Sequence, residues 1–208
     1  LLCLLLLWWL CVRLFGSADG LAARFAPEAT LASLVELLGR GELYEHVLVS
    51  LKRIVEALRG LQLRAKDLLS FQRWVMFNYL IGNSDAHAKN ISVLIGETGY
   101  ALAPFYDLLC VRVYGDDRLA LSVGDVDHYA SIGAHSWEAF CGDCGFSVKP
   151  TLSLFRKMSQ DVTKAWATVT AQVTADYALS QQELALIQSI SKVIENHRSA
   201  AMSMTAKR

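Results

Sequence analysis

The chain has 208 residues, 53% hydrophobic and 19% charged, a composition typical of one large or two small globular domains that excludes a disordered or collagen-like chain. Twenty Lys and Arg balance twenty Asp and Glu, so the chain lacks the overall positive field that attracts nucleic acids and anionic membranes. Five irregularly spaced Cys indicate a reducing cytoplasmic environment and argue against a disulfide scaffold.

Residues 1–12 form an uncharged apolar run with seven Leu and two Trp. A membrane-spanning helix needs about 20 apolar residues, and the run has neither the basic start nor the small-residue cleavage site of a signal peptide. We therefore favour a truncated or unreliable apolar segment over residues 1–25, with a membrane anchor as the alternative. One folded domain is expected over residues 26–208.

Three helices are predicted in the first part of this domain. Thr30 precedes apolar positions at helical spacing that end at Leu38, and a second apolar stripe runs from Tyr44 to Gly60. The stretch Asp67–Ile81 is apolar on nearly every side, so we expect it to be the buried central helix. Gly82 follows, at the position where a left-handed residue ends a helix.

The pattern then changes from helical to extended. Residues 91–95 and 100–103 are short β-type runs separated by Gly96–Gly99, which predicts a hairpin. Residues 104–145 carry seven Asp and Glu against two Arg. We expect this acidic segment to be irregular, with a helix only near residues 137–144.

Helical periodicity returns in residues 152–173, and a last helix is predicted to begin after Ser180. Ser180 and Glu183 have the spacing of a capping box, in which each residue satisfies a backbone N–H of the other. Neither repeats nor Pro/Gly-rich linkers divide the chain. The predicted fold class is therefore mainly α with a small inserted β-hairpin.

The polar run Asn83–Asn90 follows directly on the buried central helix, where its desolvation is costly unless it has a function. If residues 91–95 pair with 100–104, the hairpin brings the chain back to its own start. Asn90 and Asp107 then emerge side by side, and Asp85 lies on the loop that leads to the same end.

Two carboxylates and a carboxamide form a site of hard oxygen ligands, which suits Mg²⁺ better than Zn²⁺. The order D-x-x-x-x-N, hairpin, D is also the order that protein kinases use for a base, an amide metal ligand and a metal-binding Asp. Asp85 is then the candidate base and Asp107 the candidate metal ligand. The alternative is a capped helix end, with Asn83 and Asp85 in a simple turn.

Two longer motifs carry a resemblance to a known family. The runs FNYLIGNSDAHAKNISVL at 77–94 and LAPFYDLL at 102–109 closely resemble the C-terminal domain of HipA-type serine/threonine kinases, the toxins of HipA/HipB toxin–antitoxin pairs. The resemblance continues more weakly through residues 119–124 and 137–145. It implies a mainly helical, kinase-like C-lobe that uses ATP and Mg²⁺.

Matched position by position, the resemblance implies roles for five residues. Asp85 corresponds to the catalytic base, Asn90 and Asp107 to the nucleotide-associated Mg²⁺ ligands, and His87 and Lys89 to loop residues near the phosphates or the substrate hydroxyl. The implied substrates are protein Ser or Thr hydroxyls, including the chain's own and those of aminoacyl-tRNA synthetases. The implied partner is a HipB-like antitoxin in the cytoplasm, with DNA contacted only through that complex and no membrane association.

A kinase also needs a Gly-rich loop over the phosphates and a Lys that contacts them. The thirteen Gly of this chain include no G-x-G-x-x-G motif, so the N-terminal lobe is expected to be absent from it. We therefore expect the chain by itself to be inactive. A truncated kinase remnant that acts only as a helical binding module is the alternative.

Two further groups of residues have a functional and a structural interpretation. Cys141 and Cys144, together with His128 and His135, are candidate zinc ligands, although buried thiols are the favoured interpretation because no second close pair exists. The carboxylates of Asp125 and Asp127 are candidate metal supports. Beside Gly124, however, turn residues are the simpler interpretation.

Overall fold

The computed structural model describes residues 50–96 and 99–206. Over these residues the chain is mainly helical, with two small antiparallel hairpins. The elements are α1 (Leu51–Gly60), α2 (Ala65–Ile81), β1 (Val93–Gly96), β2 (Gly99–Leu102), β3 (Arg118–Val123), β4 (Val126–His128), α3 (Ala134–Cys144), α4 (Val148–Asp176) and α5 (Gln181–Thr205). The predicted fold class is confirmed. The apolar run 1–12 and the predicted helix 30–38 lie outside the described residues.

Helix α1 lies within the range 44–60 that the sequence predicts to be helical. Ser50 has an extended backbone, and its side chain accepts a hydrogen bond from the Arg53 amide at 3.4 Å. An N-cap of this kind marks the start of a helix, so α1 starts at Leu51; residues 44–49 of the predicted helix lie outside the described residues. Its apolar face is buried, at Leu51, Ile54, Val55 and Leu58.

Helix α2 is the predicted central helix. It runs from Ala65 to Ile81 and buries side chains around most of its circumference, including Phe71, Trp74, Met76 and Tyr79. Gly82 ends it with a left-handed φ of 72°. A Cβ atom on Gly82 would lie 2.7 Å from a methyl group of Val193 on α5, so the glycine also permits close packing of the two helices.

The first hairpin has the register that the sequence predicts. Val93 lies opposite Leu102, and Ile95 lies opposite Tyr100. The Ala103 amide extends the ladder by donating to the Ser92 carbonyl at 2.9 Å. The chain segments next to this open end lead to Asn90 before β1 and to Asp107 after β2.

The second hairpin was not predicted, and the expectation of an irregular segment over 104–145 is wrong there. Strands β3 and β4 are joined by Gly124 and Asp125, which have φ values of 56° and 62°. Positive φ at both central residues defines the two-residue turn that suits the twist of a hairpin. The three consecutive apolar residues 119–121 hide the period-two pattern of a strand.

Asp125 and Asp127 have structural positions in this hairpin. Asp125 is a turn residue, as predicted, while Asp127 lies on β4 and accepts a hydrogen bond from the Arg118 side chain at 3.1 Å. The acidic segment thus contains a hairpin and the helix α3, which begins before Trp137, at Ala134.

An aromatic core lies between α2 and the C-terminal helices. Trp137 on α3 meets Tyr79 edge-on with ring centroids 5.6 Å apart, and its centroid is 4.3 Å from that of Phe155 on α4. Cys141 and Cys144 are buried free thiols in this core, and burial raises the pKa of Cys144 to about 12. Within the described ranges, no three His, Cys, Asp or Glu side chains cluster as a metal centre would require.

The two long C-terminal helices pack against each other and against α2. Helix α5 begins with the predicted capping box, in which the Glu183 amide donates to Ser180 Oγ at 3.3 Å and the Ser180 amide donates to Glu183 Oε2 at 2.8 Å. In the part of the chain that the structure describes, no helix combines the length and hydrophobicity needed to cross a membrane.

Candidate active site

The polar loop after α2 is folded by its own backbone hydrogen bonds. The Asn83 amide donates to the Asn78 carbonyl at 2.9 Å, and the His87 amide donates to the Asp85 carbonyl at 2.8 Å. A short 3₁₀ turn, Ala88–Asn90, completes the loop. The unpredicted strand β3 supports it from the side, since the Ala120 amide donates to the Ser84 carbonyl at 3.0 Å.

Asn90 and Asp107 are in direct contact, as the hairpin register predicts. Asn90 Nδ2 donates to Asp107 Oδ2 at 2.9 Å and also to the Asp85 carbonyl at 3.2 Å. Asn90 is buried, whereas Asp107 is exposed. One buried amide therefore joins both acidic segments and leaves the Asp107 carboxylate accessible from solution.

Asp107 has an unusual backbone conformation. Its φ of 58° is left-handed, a conformation that costs a residue other than glycine roughly 1–2 kcal/mol, although Asp and Asn tolerate it better than most. Its carbonyl accepts a hydrogen bond from Asn83 Nδ2 at 2.9 Å. A strained residue that its surroundings hold in place is characteristic of functional sites.

Asp85 and His87 form a second pair in the same loop. His87 Nε2 lies 2.8 Å from Asp85 Oδ1, and the two side chains are 48% and 47% exposed. The Asp85 amide donates to Asn83 Oδ1 at 3.3 Å. The carboxylate is thus oriented by a neighbouring imidazole while remaining accessible to a substrate.

Lys89 joins the site through its main chain. Its side chain is exposed, and its carbonyl accepts a hydrogen bond from the Tyr106 hydroxyl at 3.0 Å. The same hydroxyl lies 3.0 Å from Ser92 Oγ. Tyr106 therefore joins the loop to the segment that carries Asp107, at the open end of the first hairpin.

Two buried asparagines belong to this site. Asn83 begins the polar run that the sequence analysis singled out but was given no role in the site, and Asn78 was not predicted. Asn78 is 3% exposed and Asn83 is 1% exposed. Asn83 Nδ2 donates to Asn78 Oδ1 at 2.8 Å, and Asn78 Nδ2 donates to the Trp74 carbonyl at 2.8 Å. In the sequence, Asn78 was the residue that could have indicated this network, because a carboxamide inside an otherwise apolar helix needs hydrogen-bond partners when it is buried.

The ligand types of the site match those of a hard divalent cation. The Asp107 carboxylate and the Asn90 carboxamide are the oxygen donors that Mg²⁺ prefers, and the Asp85 carboxylate adds a second negative charge on the same loop. In the structure, the Asp107 carboxylate accepts a hydrogen bond from the neutral Asn90 carboxamide. The residue types present therefore fit the binding of Mg²⁺.

The family model of the HipA-like C-terminal domain matches residues 15–166. Among curated relatives, a putative kinase, Y4mE, of Sinorhizobium fredii is 33% identical over 128 residues, which cover 60% of this chain and 30% of that protein. The serine/threonine-protein kinase toxin HipA of Shewanella oneidensis is 33% identical over 99 residues, which cover 47% of this chain and 23% of that protein. The chain thus spans less than a third of these relatives.

A solved structure shows the same fold. In the complex of Shewanella oneidensis HipA with HipB and its operator DNA, the matching chain superposes with a TM-score of 0.57 and 24% identity, over 66% of this chain and 33% of that one. The expected helical C-lobe of HipA type is therefore confirmed. Because the family model matches most of this chain, residues 15–166, the chain belongs to the HipA-like C-terminal domain family.

Proposed function

We propose that the chain is the C-terminal catalytic portion of a protein serine/threonine kinase that transfers the γ-phosphate of ATP to a Ser or Thr hydroxyl. The observation that carries this proposal is the contact of Asn90 with both acidic segments, at 2.9 Å to the Asp107 carboxylate and 3.2 Å to the Asp85 carbonyl. Phosphoryl transfer requires a base carboxylate close to a metal site of this kind. The kinase names of two curated relatives support the proposal.

In this proposal Asp85 is the catalytic base. Its carboxylate is half-exposed and accepts a proton from the attacking hydroxyl, which must be aligned and deprotonated during transfer. His87 holds one carboxylate oxygen at 2.8 Å, which leaves the other oxygen for the substrate hydroxyl. Lys89 adds an exposed positive charge beside the loop, which favours the approach of phosphate groups.

Asp107 and Asn90 are the proposed Mg²⁺ ligands in the nucleotide complex. Bound Mg²⁺ offsets the negative charge of the phosphates. The buried position of Asn90 and the constrained backbone of Asp107 keep both side chains in place before any nucleotide binds. Such preorganisation lowers the cost of assembling the site.

The proposed biological role is based on analogy with the family. We propose a toxin–antitoxin role in the cytoplasm, with a HipB-like antitoxin as partner and DNA contacted through that complex. HipB and operator DNA are present in the Shewanella oneidensis complex. The proposed substrates are protein hydroxyls, with aminoacyl-tRNA synthetases among the candidates.

A non-catalytic helical module is the second candidate. It is favoured by the lack of a G-x-G-x-x-G motif in the sequence. Without a phosphate-covering loop and its Lys, a triphosphate is held at one end only. We therefore expect the 208-residue chain alone to transfer no phosphate.

The test compares the 208-residue chain with the product of its complete reading frame. Each is incubated with Mg²⁺, γ-labelled ATP and a generic protein substrate, and Asp85→Asn serves as the blank. The kinase proposal expects incorporation above the blank for the complete product only. Incorporation at the level of the blank in both would favour the helical module, whereas incorporation by the short chain would contradict its expected inactivity.

A further inference from the structure

The Asn83 side chain makes contacts on three sides of the site. Its Nδ2 group donates to Asn78 Oδ1 at 2.8 Å and to the Asp107 carbonyl at 2.9 Å. Its Oδ1 atom accepts from the Asp85 amide at 3.3 Å. Both N–H groups and the oxygen of this buried carboxamide therefore have partners.

The contacts link the site to the rigid part of the fold. Asn78 lies on the central helix and is itself fixed by its hydrogen bond to the Trp74 carbonyl. Asn83 continues this connection outward to the loop of Asp85 and to the segment of Asp107, 24 residues away in the chain. A residue that only ended the helix would need bonds within its own turn; the bond to Asp107 spans two separate segments.

Asp107 is the residue that needs this support most. Its left-handed backbone is strained, with a φ of 58°. Asn83 holds the carbonyl of Asp107, while Asn90 holds its carboxylate. The main chain and the side chain of the proposed metal ligand are thus fixed by two different carboxamides.

We propose that Asn83 is a positioning residue that sets the spacing of the Asp85 and Asp107 segments and, through Asp107, the Mg²⁺ affinity of the site. The inference rests on the proposed function. It predicts that loss of the Asn83 carboxamide changes the Asp107 backbone and lowers Mg²⁺ affinity in protein that remains folded. A merely structural role would lower stability and leave both properties unchanged.

The main variant is Asn83→Ala, with Asn83→Asp as a second variant that keeps the size of the side chain and the acceptor for the Asp85 amide. Thr151→Val is the matched control, because it removes a buried hydrogen bond from Gln72 Nε2 to Thr151 Oγ1, 2.7 Å long, between α2 and α4. Each protein is isotope-labelled and studied by NMR under conditions where it is fully folded.

The first readout uses no metal. In both Asn83 variants the backbone ¹⁵N, Cα and Cβ shifts of Asp107 should leave their left-handed values, whereas Thr151→Val should keep them. The second readout is titration with Mg²⁺ alone, where Asn83→Ala should weaken binding by about 10- to 100-fold, the usual effect of losing a residue that supports a metal ligand. The inference is overturned if both readouts in folded Asn83→Ala match those of Thr151→Val.

A third readout covers the case in which neither Asn83 variant folds. In the unaltered chain, both side-chain N–H groups of Asn83 donate hydrogen bonds inside the protein. They should therefore exchange with solvent much more slowly than those of an exposed Asn such as Asn196. Exchange at the exposed rate would refute the assignment. Mg²⁺ binding that is equal in the unaltered chain and in Asp107→Asn would instead contradict the proposed function, while the metal-free shifts of Asp107 would still decide the role of Asn83.

Discussion

Asn78 and Tyr79 are neighbours on α2 but belong to two different regions of the molecule. Asn78 begins the hydrogen-bonded chain through Asn83 to the exposed carboxylate of Asp107. Tyr79 packs into a buried stack in which its ring centroid lies 5.0 Å from that of His197 and 5.5 Å from that of Tyr129. The first region is organised by directional polar bonds, the second by ring packing.

The two regions differ in the solvent exposure of their titratable groups. The site keeps Asp85 and His87 half-exposed and within 2.8 Å of each other. The stack buries His197 and lowers its pKa to about 4, chiefly through burial and also through the charge of Arg112. Asp85 and His87 are therefore accessible for chemistry, whereas His197 is buried and its charged form is disfavoured. Substitutions in the site should change function, and those in the core should change stability.

The largest expected effect is on catalysis by the complete protein. Asp85→Asn should lower the rate of phosphoryl transfer by roughly 10²- to 10⁴-fold, the usual contribution of a general base. Nucleotide binding should be little changed, because the base acts on the incoming hydroxyl. The measurement is single-turnover transfer of labelled phosphate beside equilibrium ATP binding. A variant that transfers at the parental rate would show that Asp85 is not the base.

On the other side of the comparison, Phe155→Ala should affect stability and not the site. Phe155 is fully buried against Trp137 and Tyr79, and removal of such a ring costs about 3–5 kcal/mol. The free energy of unfolding from denaturant titration measures the loss. If Mg²⁺ affinity in the remaining folded protein fell as well, the two regions would be coupled more closely than the contacts indicate.

His197 should make stability depend on pH. Its folded pKa of about 4 lies below the usual value near 6.5, so the unfolded state binds more protons between these limits. The contribution of neutral His197 to the free energy of unfolding is fully present above about pH 6.5 and is lost as the pH is lowered. Below pH 4 the free energy of unfolding is reduced by about 3 kcal/mol. Tyr79 and Tyr129 stay neutral here, since burial raises the pKa of both.

The measurement for this effect is the unfolding free energy of the parent and of His197→Gln between pH 4 and 7.5. The parental curve should be steeper through this range, because only the parent binds an extra proton on unfolding. Parallel curves would mean that His197 does not carry the dependence.

The smallest expected effect concerns the metal ligand. Asp107→Asn removes one anionic oxygen donor but keeps a side chain that tolerates the left-handed backbone. Mg²⁺ affinity should fall by roughly 10- to 100-fold, as for the loss of its supporting carboxamide, with little change in unfolding free energy. Calorimetric or NMR titration with Mg²⁺ checks this. Unchanged Mg²⁺ affinity would contradict the assignment of Asp107 as a ligand.

The sequence predicted those parts of the site that depend on local pattern. Gly82 ends α2 because the chain must turn there, and the register of the first hairpin follows from its two short strands. That register brings Asn90 to Asp107. The second hairpin was missed because its turn residues, Gly124 and Asp125, follow a strand whose period-two pattern is hidden by the consecutive apolar residues 119–121.

The sequence alone determined the central helix, the first hairpin, the capping box of α5 and the meeting of Asn90 with Asp107, since each depends on residues close in the chain or joined by one hairpin. The tertiary structure decided the left-handed backbone of Asp107, its support by Asn83 and the burial of His197 against Tyr129. These features depend on how elements far apart in the chain pack together. Packing of that kind sets which polar groups lose water and must find partners, and no local pattern encodes it.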